Sequence, residues 1–133
     1  MSSDSTAVVP ASYHDLLAST ALAHVATIGP DGALQTSPVW FNWDGARLLL
    51  ALVPERQKLR NLRRDPHVAV SMIDPANPFR YLEIRGRATF ESDPDSSVVT
   101  RLVRKYTGSD ELPGAKGERV IVAIEPTHAT YQG

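Results

Sequence analysis

Arg56, Lys58, Arg60, Arg63 and Arg64 all fall within PERQKLRNLRRD (54–65), so one short segment carries five of the chain's fourteen Lys and Arg residues. The chain as a whole has a net charge of −1. The segment reads as the start of a helix, and this makes the charge unusual. Arg56 and Lys58 sit in the first turn, where the macrodipole is already positive and cations are disfavoured by roughly 0.3–1 kcal/mol. The free N–H groups of that turn point the same way. An anion at this spot satisfies the amides and the side chains together. The segment therefore reads as a phosphate or carboxylate pocket, with Glu55 offsetting part of its charge. Arg60, Arg63 and Arg64 lie one and two turns along, placed to extend the pocket toward a longer anionic ligand. The competing reading is a solvated basic face.

A second candidate is TSPVWFNWDG (36–45), which holds both tryptophans, Trp40 and Trp43, with Phe41 between them. Alternation puts Trp40 and Asn42 on one face and Phe41 and Trp43 on the other, so at least one Trp lies outside the core. Pro38 within a strand marks an edge or a bulge. Exposed backbone beside an indole suits a flat heteroaromatic ligand; core aromatics are the alternative. In RYLEIRGRA (80–88), Glu83, Arg85 and Arg87 project from one face. Ion pairing on the outer surface explains them as well as a site does, and Gly86 marks a bulge or a close backbone approach. His14, His24, His67 and His128 are scattered, with no metal-ligand spacing. No G-x-S-x-G, Walker A or G-x-G-x-x-G pattern is present.

These residues need a frame. SYHDLLAS predicts a short helix at about 13–19 with Ser12 as N-cap. Strands are predicted at 21–28, 34–43 and 47–53, separated by Gly/Pro/Asp turns and paired as a meander. The basic helix, about ten residues long, turns Leu59 and Leu62 inward and stops before Pro66. A strand follows at 67–73. The two prolines of DPANPF (74–79) predict a loop. Residues 80–92 alternate clearly, with Leu82, Ile84, Gly86, Ala88 and Phe90 on one face. Asp93 caps a helix that Pro94 opens and Gly108 ends, with Val98, Leu102 and Tyr106 at helical spacing. SDELPGAKGE (109–118) is a surface loop, RVIVAIEP (119–126) the last strong strand, and 128–131 a short edge. Six or more antiparallel strands with peripheral helices make a small mainly-β barrel. Its closure hides the strand edges.

Length and charge narrow the function. A chain of 133 residues is one domain, read as a flexible lead at 1–12 and a single barrel at 13–133. A slightly acidic chain with one aromatic-rich strand argues against nucleic acid as a partner. No apolar run is long enough to span a membrane. The N-terminus lacks a basic region followed by an apolar one, so the expected location is cytoplasmic. The absence of cysteine excludes thiolate chemistry and disulfides.

Taken in order, LAHVATIGPDGALQTSPVWFNWDG, RQKLRNLRRDPHVAVSMIDPANPFRYLEIRGRA, RKYTG and a terminal RVIVAIEP resemble the pyridoxamine 5'-phosphate oxidase-like split β-barrel superfamily. The resemblance is nearest to its deazaflavin branch, the oxidoreductases that use coenzyme F420, and runs from about residue 13 onward. It implies an FMN-binding-like split barrel and a homodimer with two cofactor sites at the interface. It implies that Arg56 and Lys58 are the R-x-K pair that holds the cofactor phosphate, with Asn61 of the same motif in a structural role. Pro38, Val39 and Trp40 match the strand beside the ring system, Met72 and Ile73 line the site from the following strand, and Arg60 adds charge along the helix. The implied activity is reduction of a small conjugated substrate by hydride transfer from the reduced deazaflavin. FMN chemistry on the same fold is the alternative, and a non-catalytic flavin or tetrapyrrole carrier a second one. No residue stands out as a catalytic acid. This chain departs from the pattern in one place: relatives carry Thr or Ser near the end of the strand before the basic turn, often with Gly ahead of the Arg. Here Leu52, Pro54 and Glu55 stand instead, so a hydroxyl contact to the phosphate is missing or replaced.

Overall fold

The computed structural model describes residues 8–109 and 117–133. Seven strands are arranged around one core: β1 (Ala23–Ile28), β2 (Leu34–Val39), β3 (Asn42–Trp43), β4 (Leu48–Leu52), β5 (His67–Asp74), β6 (Asn77–Ser92) and β7 (Val120–Gln132). Three helices accompany them: α1 (His14–Ala18), α2 (Gln57–Arg64) and α3 (Ser97–Thr107). The sheet order is β2-β1-β5-β6-β7-β4-β3, and each neighbouring pair is antiparallel.

That order corrects the expected meander. The segment 34–43 breaks at Trp40 and Phe41, and its two parts, β2 and β3, lie at opposite ends of the sheet. Only two residues separate Val39 from Asn42, so the two ends of the sheet must meet at this corner. The sheet therefore curls into a barrel. Closure is incomplete, because β3 pairs only with Leu48 and Leu49 of β4. The rest of β4 is hydrogen-bonded on its β7 side alone. The result is a split barrel, mainly β.

The interior is filled by inward residues of alternating strands, among them Val25, Leu48, Leu50, Val70, Met72, Leu82, Ile84, Val122 and Ile124. Leu16 and Leu17 of α1 and Leu59 and Leu62 of α2 plug it, as their spacing predicts. β4 is buried on both faces: Leu49 joins Ile121 and Ala123 on the outside, where Val98 of α3 packs over them. α3 starts at Ser97, not at Pro94. Asp93 nevertheless caps it, accepting from the amides of Val98 (3.2 Å) and Val99 (3.1 Å).

Other expectations need correction at turns. DPANPF is a tight hairpin, not a loop: Asp74 pairs with Asn77, and the Asp74 carboxylate accepts the Ala76 amide at 2.8 Å. Ser12 caps no helix. Its carbonyl accepts Arg80 Nη2 at 2.8 Å, and α1 follows a 3-10 turn at Ala11–Tyr13. Arg80 also pairs with Asp15 and Asp74 and lies over the Tyr13 ring, tying the start of the fold to the β5–β6 hairpin. Val9 is buried, so packing begins ahead of residue 13. Residues 1–7 of the expected lead and 110–116 of the expected surface loop lie outside the described residues.

β7 is one strand through 128–131, not a strand followed by a separate edge. Its continuity depends on a bulge. Arg85 pairs with His128 and Gly86 with Pro126, which leaves Thr127 as the extra residue. At this point the backbones crowd: a Cβ on Gly86 would lie 2.1 Å from the Glu125 carbonyl oxygen. Gly86→Ala must therefore push β6 and β7 apart. The expected loss is about 2 kcal/mol or more of unfolding free energy, measured by urea denaturation. Thr127→Ala, which leaves the backbone room unchanged, should cost less than about 1 kcal/mol.

Candidate functional site

A cavity of about 440 Å³ occupies the split. Its walls come from the end of β2 (Ser37, Pro38, Val39, with Trp40 just beyond) and the end of β4 (Ala51, Leu52, with Val53 just beyond). The start of α2 (Arg56, Lys58), the apolar face of α3 (Val99, Leu102, Val103) and Arg119 complete it. Two sheet edges thus meet a helix N-terminus and an apolar wall. The volume lies within the roughly 300–1,000 Å³ typical of ligand sites. A second groove of about 590 Å³, between Leu34, His67 and His128, lies over the outer face of β1, β5, β6 and β7 and is separate from these residues.

The polar end is built by α2. Its N-cap is Arg56, whose side chain makes no capping hydrogen bond, and its first turn holds no acidic residue. Among the described residues, the amides of Gln57 and Lys58 have no acceptor. Lys58 is 8% exposed and has no hydrogen-bond or ion-pair partner among the described residues. Burial, reinforced by the nearby Arg56 charge, pulls its pKa below the ordinary lysine value. A cation held this way is poised for an anion. Orphan amides, the ammonium of a largely buried lysine and a guanidinium fit a phosphate group.

Asn61 holds this arrangement in place. It is 1% exposed, and its Nδ2 donates to Thr27 Oγ1 and Gln35 Oε1, each at 3.0 Å, while its Oδ1 accepts Gln57 Nε2 at 2.8 Å. Thr27 and Gln35 are cross-strand partners on β1 and β2. One amide therefore fixes the helix start against both strands.

The aromatic end is built by α3. Trp40 stacks on Tyr106 with ring centroids 4.9 Å apart and planes 2° from parallel. Tyr106 Oη donates to the Ala21 carbonyl (2.7 Å) and accepts the Phe41 amide (3.3 Å). Lys105 Nζ donates to the Phe41 carbonyl (2.8 Å) and lies 3.8 Å from the centroid of the Phe41 ring. The Trp40–Phe41 corner, which no strand pairing can satisfy, is thus hydrogen-bonded by two consecutive residues of α3. Phe41 is core, as alternation allowed, and both tryptophans are half-buried.

The structure thus brings together Arg56, Lys58, Pro38, Val39 and Trp40, with Asn61 beneath them. It does not bring Met72, Ile73 or Arg60 to this cavity. Met72 is fully buried in the barrel core, and Ile73 is exposed on the outside of β5. Arg60 folds back on its own helix, donating to the Glu55 carbonyl (2.9 Å) and to Gln57 Oε1 (2.9 Å). Arg63 lies over the Phe90 ring, and Arg64 donates to the Ile28 carbonyl. Glu55 is exposed and does not line the cavity. Glu83 pairs with Arg85 on the outer surface. Sequence reasoning missed Arg119 and the α3 wall. Val99 and Val103 follow from helical periodicity once the buried face is known, but Arg119 carries no local signal.

The pyridoxamine 5'-phosphate oxidase family profile matches residues 9–133. The chain belongs to this family of split barrels, in keeping with the architecture described above. Among solved structures, it is similar to an F420 reductase with 40% identity and a TM-score of 0.83, covering 92% of this chain and 98% of that one. It is also similar to a conserved hypothetical protein, Rv2991, of Mycobacterium tuberculosis (27% identity, TM-score 0.79, covering 98% and 89%). General stress protein 26 of Bacillus anthracis shares the fold at 18% identity, with a TM-score of 0.68 and 90% and 89% covered.

Lys105 offers a check on the corner. Burial pulls its pKa to about 8 from an ordinary 10.5. Between these values the unfolded chain carries a proton that the folded protein has released, so stability gained through this group rises with pH across that window. Below about pH 8 the buried charge opposes folding. In urea titrations, wild type should therefore gain stability relative to Lys105→Met as pH rises from about 8 to about 10. A pH-independent difference would show that the lysine titrates normally.

Proposed function

We propose that the protein is an F420-dependent oxidoreductase that reduces a small conjugated substrate. The observation that carries this reading is Lys58, largely buried and, among the described residues, without a carboxylate partner, beside an open helix N-terminus in a cavity with an aromatic side. This combination calls for an anionic group attached to a flat ring. The similarity to an F420 reductase along 92% of the chain favours deazaflavin over FMN.

In this reading Arg56, Lys58 and the amides of Gln57 and Lys58 hold the cofactor phosphate. Each charge-assisted hydrogen bond is worth roughly 1.5–3 kcal/mol. Trp40, braced by Tyr106, and the backbone of Pro38 and Val39 set the plane of the ring. Val99, Leu102 and Val103 keep water from its face. When bound, the reduced cofactor supplies a hydride, and the protein's own part is position and electrostatics. The protein acts as a homodimer in the cytoplasm, with the partner subunit completing the substrate side of the cavity.

Titration with each cofactor, followed by fluorescence or absorbance, tests the proposal: F420 should bind at micromolar concentration or tighter, and FMN more weakly. The reverse order would make the protein an FMN enzyme. Tight binding without oxidation of reduced F420 by enones or quinones would make it a carrier. Lys58→Ala should weaken cofactor binding about tenfold or more, in line with one lost charged hydrogen bond. Because burial lowers the Lys58 pKa, affinity should also fall with rising pH earlier than an ordinary lysine would predict. An affinity flat to the ordinary lysine range would remove Lys58 from the site.

A further inference from the structure

The cavity joins two ends of unlike chemistry. Arg56 and Lys58 lie at one, and Trp40, stacked on Tyr106, lies at the other. β2 runs between them. Gln35 reaches α2 by accepting Asn61 Nδ2 at 3.0 Å, and Val39 leads into the Trp40–Phe41 corner. Ser37 is midway. Gln35, Ser37 and Val39 are the half-buried positions of the strand, while Leu34, Thr36 and Pro38 are exposed. The three therefore share the inward face. A strand rises about 3.4 Å per residue, so Ser37 stands about 7 Å from each of the other two along β2.

Among the described lining residues, Ser37 is the one that carries a hydroxyl. Its Oγ is shut off from solvent and has no hydrogen-bond partner among the described residues. Leaving a buried hydroxyl unpaired costs stability. The polar groups nearest in the fold are not left so: Thr27, Gln35 and Asn61 satisfy one another. A serine turns about a single torsion, and an unpaired hydroxyl gives up no hydrogen bond by turning toward a ligand. It donates one hydrogen bond and accepts others. That matches a ligand hydroxyl, which needs both, better than a phosphate oxygen, which accepts only, or an aromatic ring face.

We propose that Ser37 binds the polyol chain that links the ring of the cofactor to its phosphate. The contact fixes how far along β2 the ring lies from the anion held by Arg56 and Lys58. The inference rests on the functional reading for the two ends of the ligand. It holds for F420 and FMN alike, because a ribityl chain joins ring and phosphate in both.

The test titrates wild type, Ser37→Ala and Ser37→Cys with F420 and with FMN, and with inorganic phosphate as a competitor. Without ligand, Ser37→Ala should melt at the wild-type temperature or above it, because it removes an unpaired buried group. It should nevertheless raise Kd for the cofactor roughly three- to tenfold, the loss of one neutral hydrogen bond. Inhibition by inorganic phosphate should stay within about twofold of wild type. If Ser37→Ala folds poorly, Ser37→Cys decides in its place with the same expected pattern, since it nearly keeps the volume and bonds only weakly. An unchanged Kd for the cofactor that wild type binds overturns the inference. An equal loss toward inorganic phosphate also overturns it, by moving Ser37 to the anion site. Binding of FMN and not F420 by wild type defeats the functional reading alone, and the FMN titration then decides the inference. Binding of neither defeats both.

Discussion

The sheet cannot close. Its first and last strands in spatial order, β2 and β3, are joined by only Trp40 and Phe41, which forces the edges together. β3 then ends after two residues, which leaves β2 and the end of β4 unpaired with one another. Unpaired strand edges are normally covered or blunted. Here the opening becomes the cavity, and α2 and α3 are placed to finish it. α2 brings charge and orphan amides. α3 brings an apolar face, together with the lysine and tyrosine that satisfy the Phe41 backbone.

Electrostatics and packing pull against each other at this site. Lys58 is largely buried with no counter-charge among the described residues, and the Arg56 charge nearby makes that worse. Such an arrangement costs stability unless something pairs with it. The fold tolerates it because α2 is secured elsewhere: Leu59 and Leu62 fill the core, and Asn61 bridges Thr27 and Gln35. The helix is thus anchored by its buried face, so its entrance can hold like charges and open amides.

Much of this was legible in the sequence, and for physical reasons. Alternation in 80–92 places Leu82, Ile84 and Ala88 inside without ambiguity, and Leu59 and Leu62 orient α2 from spacing alone. The conflict between cations and a helix dipole at Arg56 and Lys58 pointed to a segment that lines the cavity. Two boundaries were misplaced. Pro75 and Pro78 suggested a loop where a two-residue turn joins β5 to β6. The last strand was expected to end at Pro126, where a bulge instead carries β7 onward, beyond the residues that pair with β4. The meander failed because turn signals give strand ends but not strand partners. Arg119 was invisible for the same reason: it lines the cavity just ahead of β7, whose pairing with β4 connects residues distant in the chain.

That register also governs how the molecule can assemble. Local hairpins supply β1–β2, β3–β4 and β5–β6, each joined by a short turn. The barrel exists only when β7, the last of the seven strands in chain order, docks between β6 and β4. Until then β4 has only two residues of β3 for a neighbour, and its run of leucines stands open to water. Long-range pairing of this kind makes folding slow relative to helical proteins of equal size. During synthesis on the ribosome, the nascent chain must therefore carry an exposed hydrophobic strand until β7 emerges. A truncation that removes β7 would leave an aggregation-prone intermediate and not a smaller stable domain.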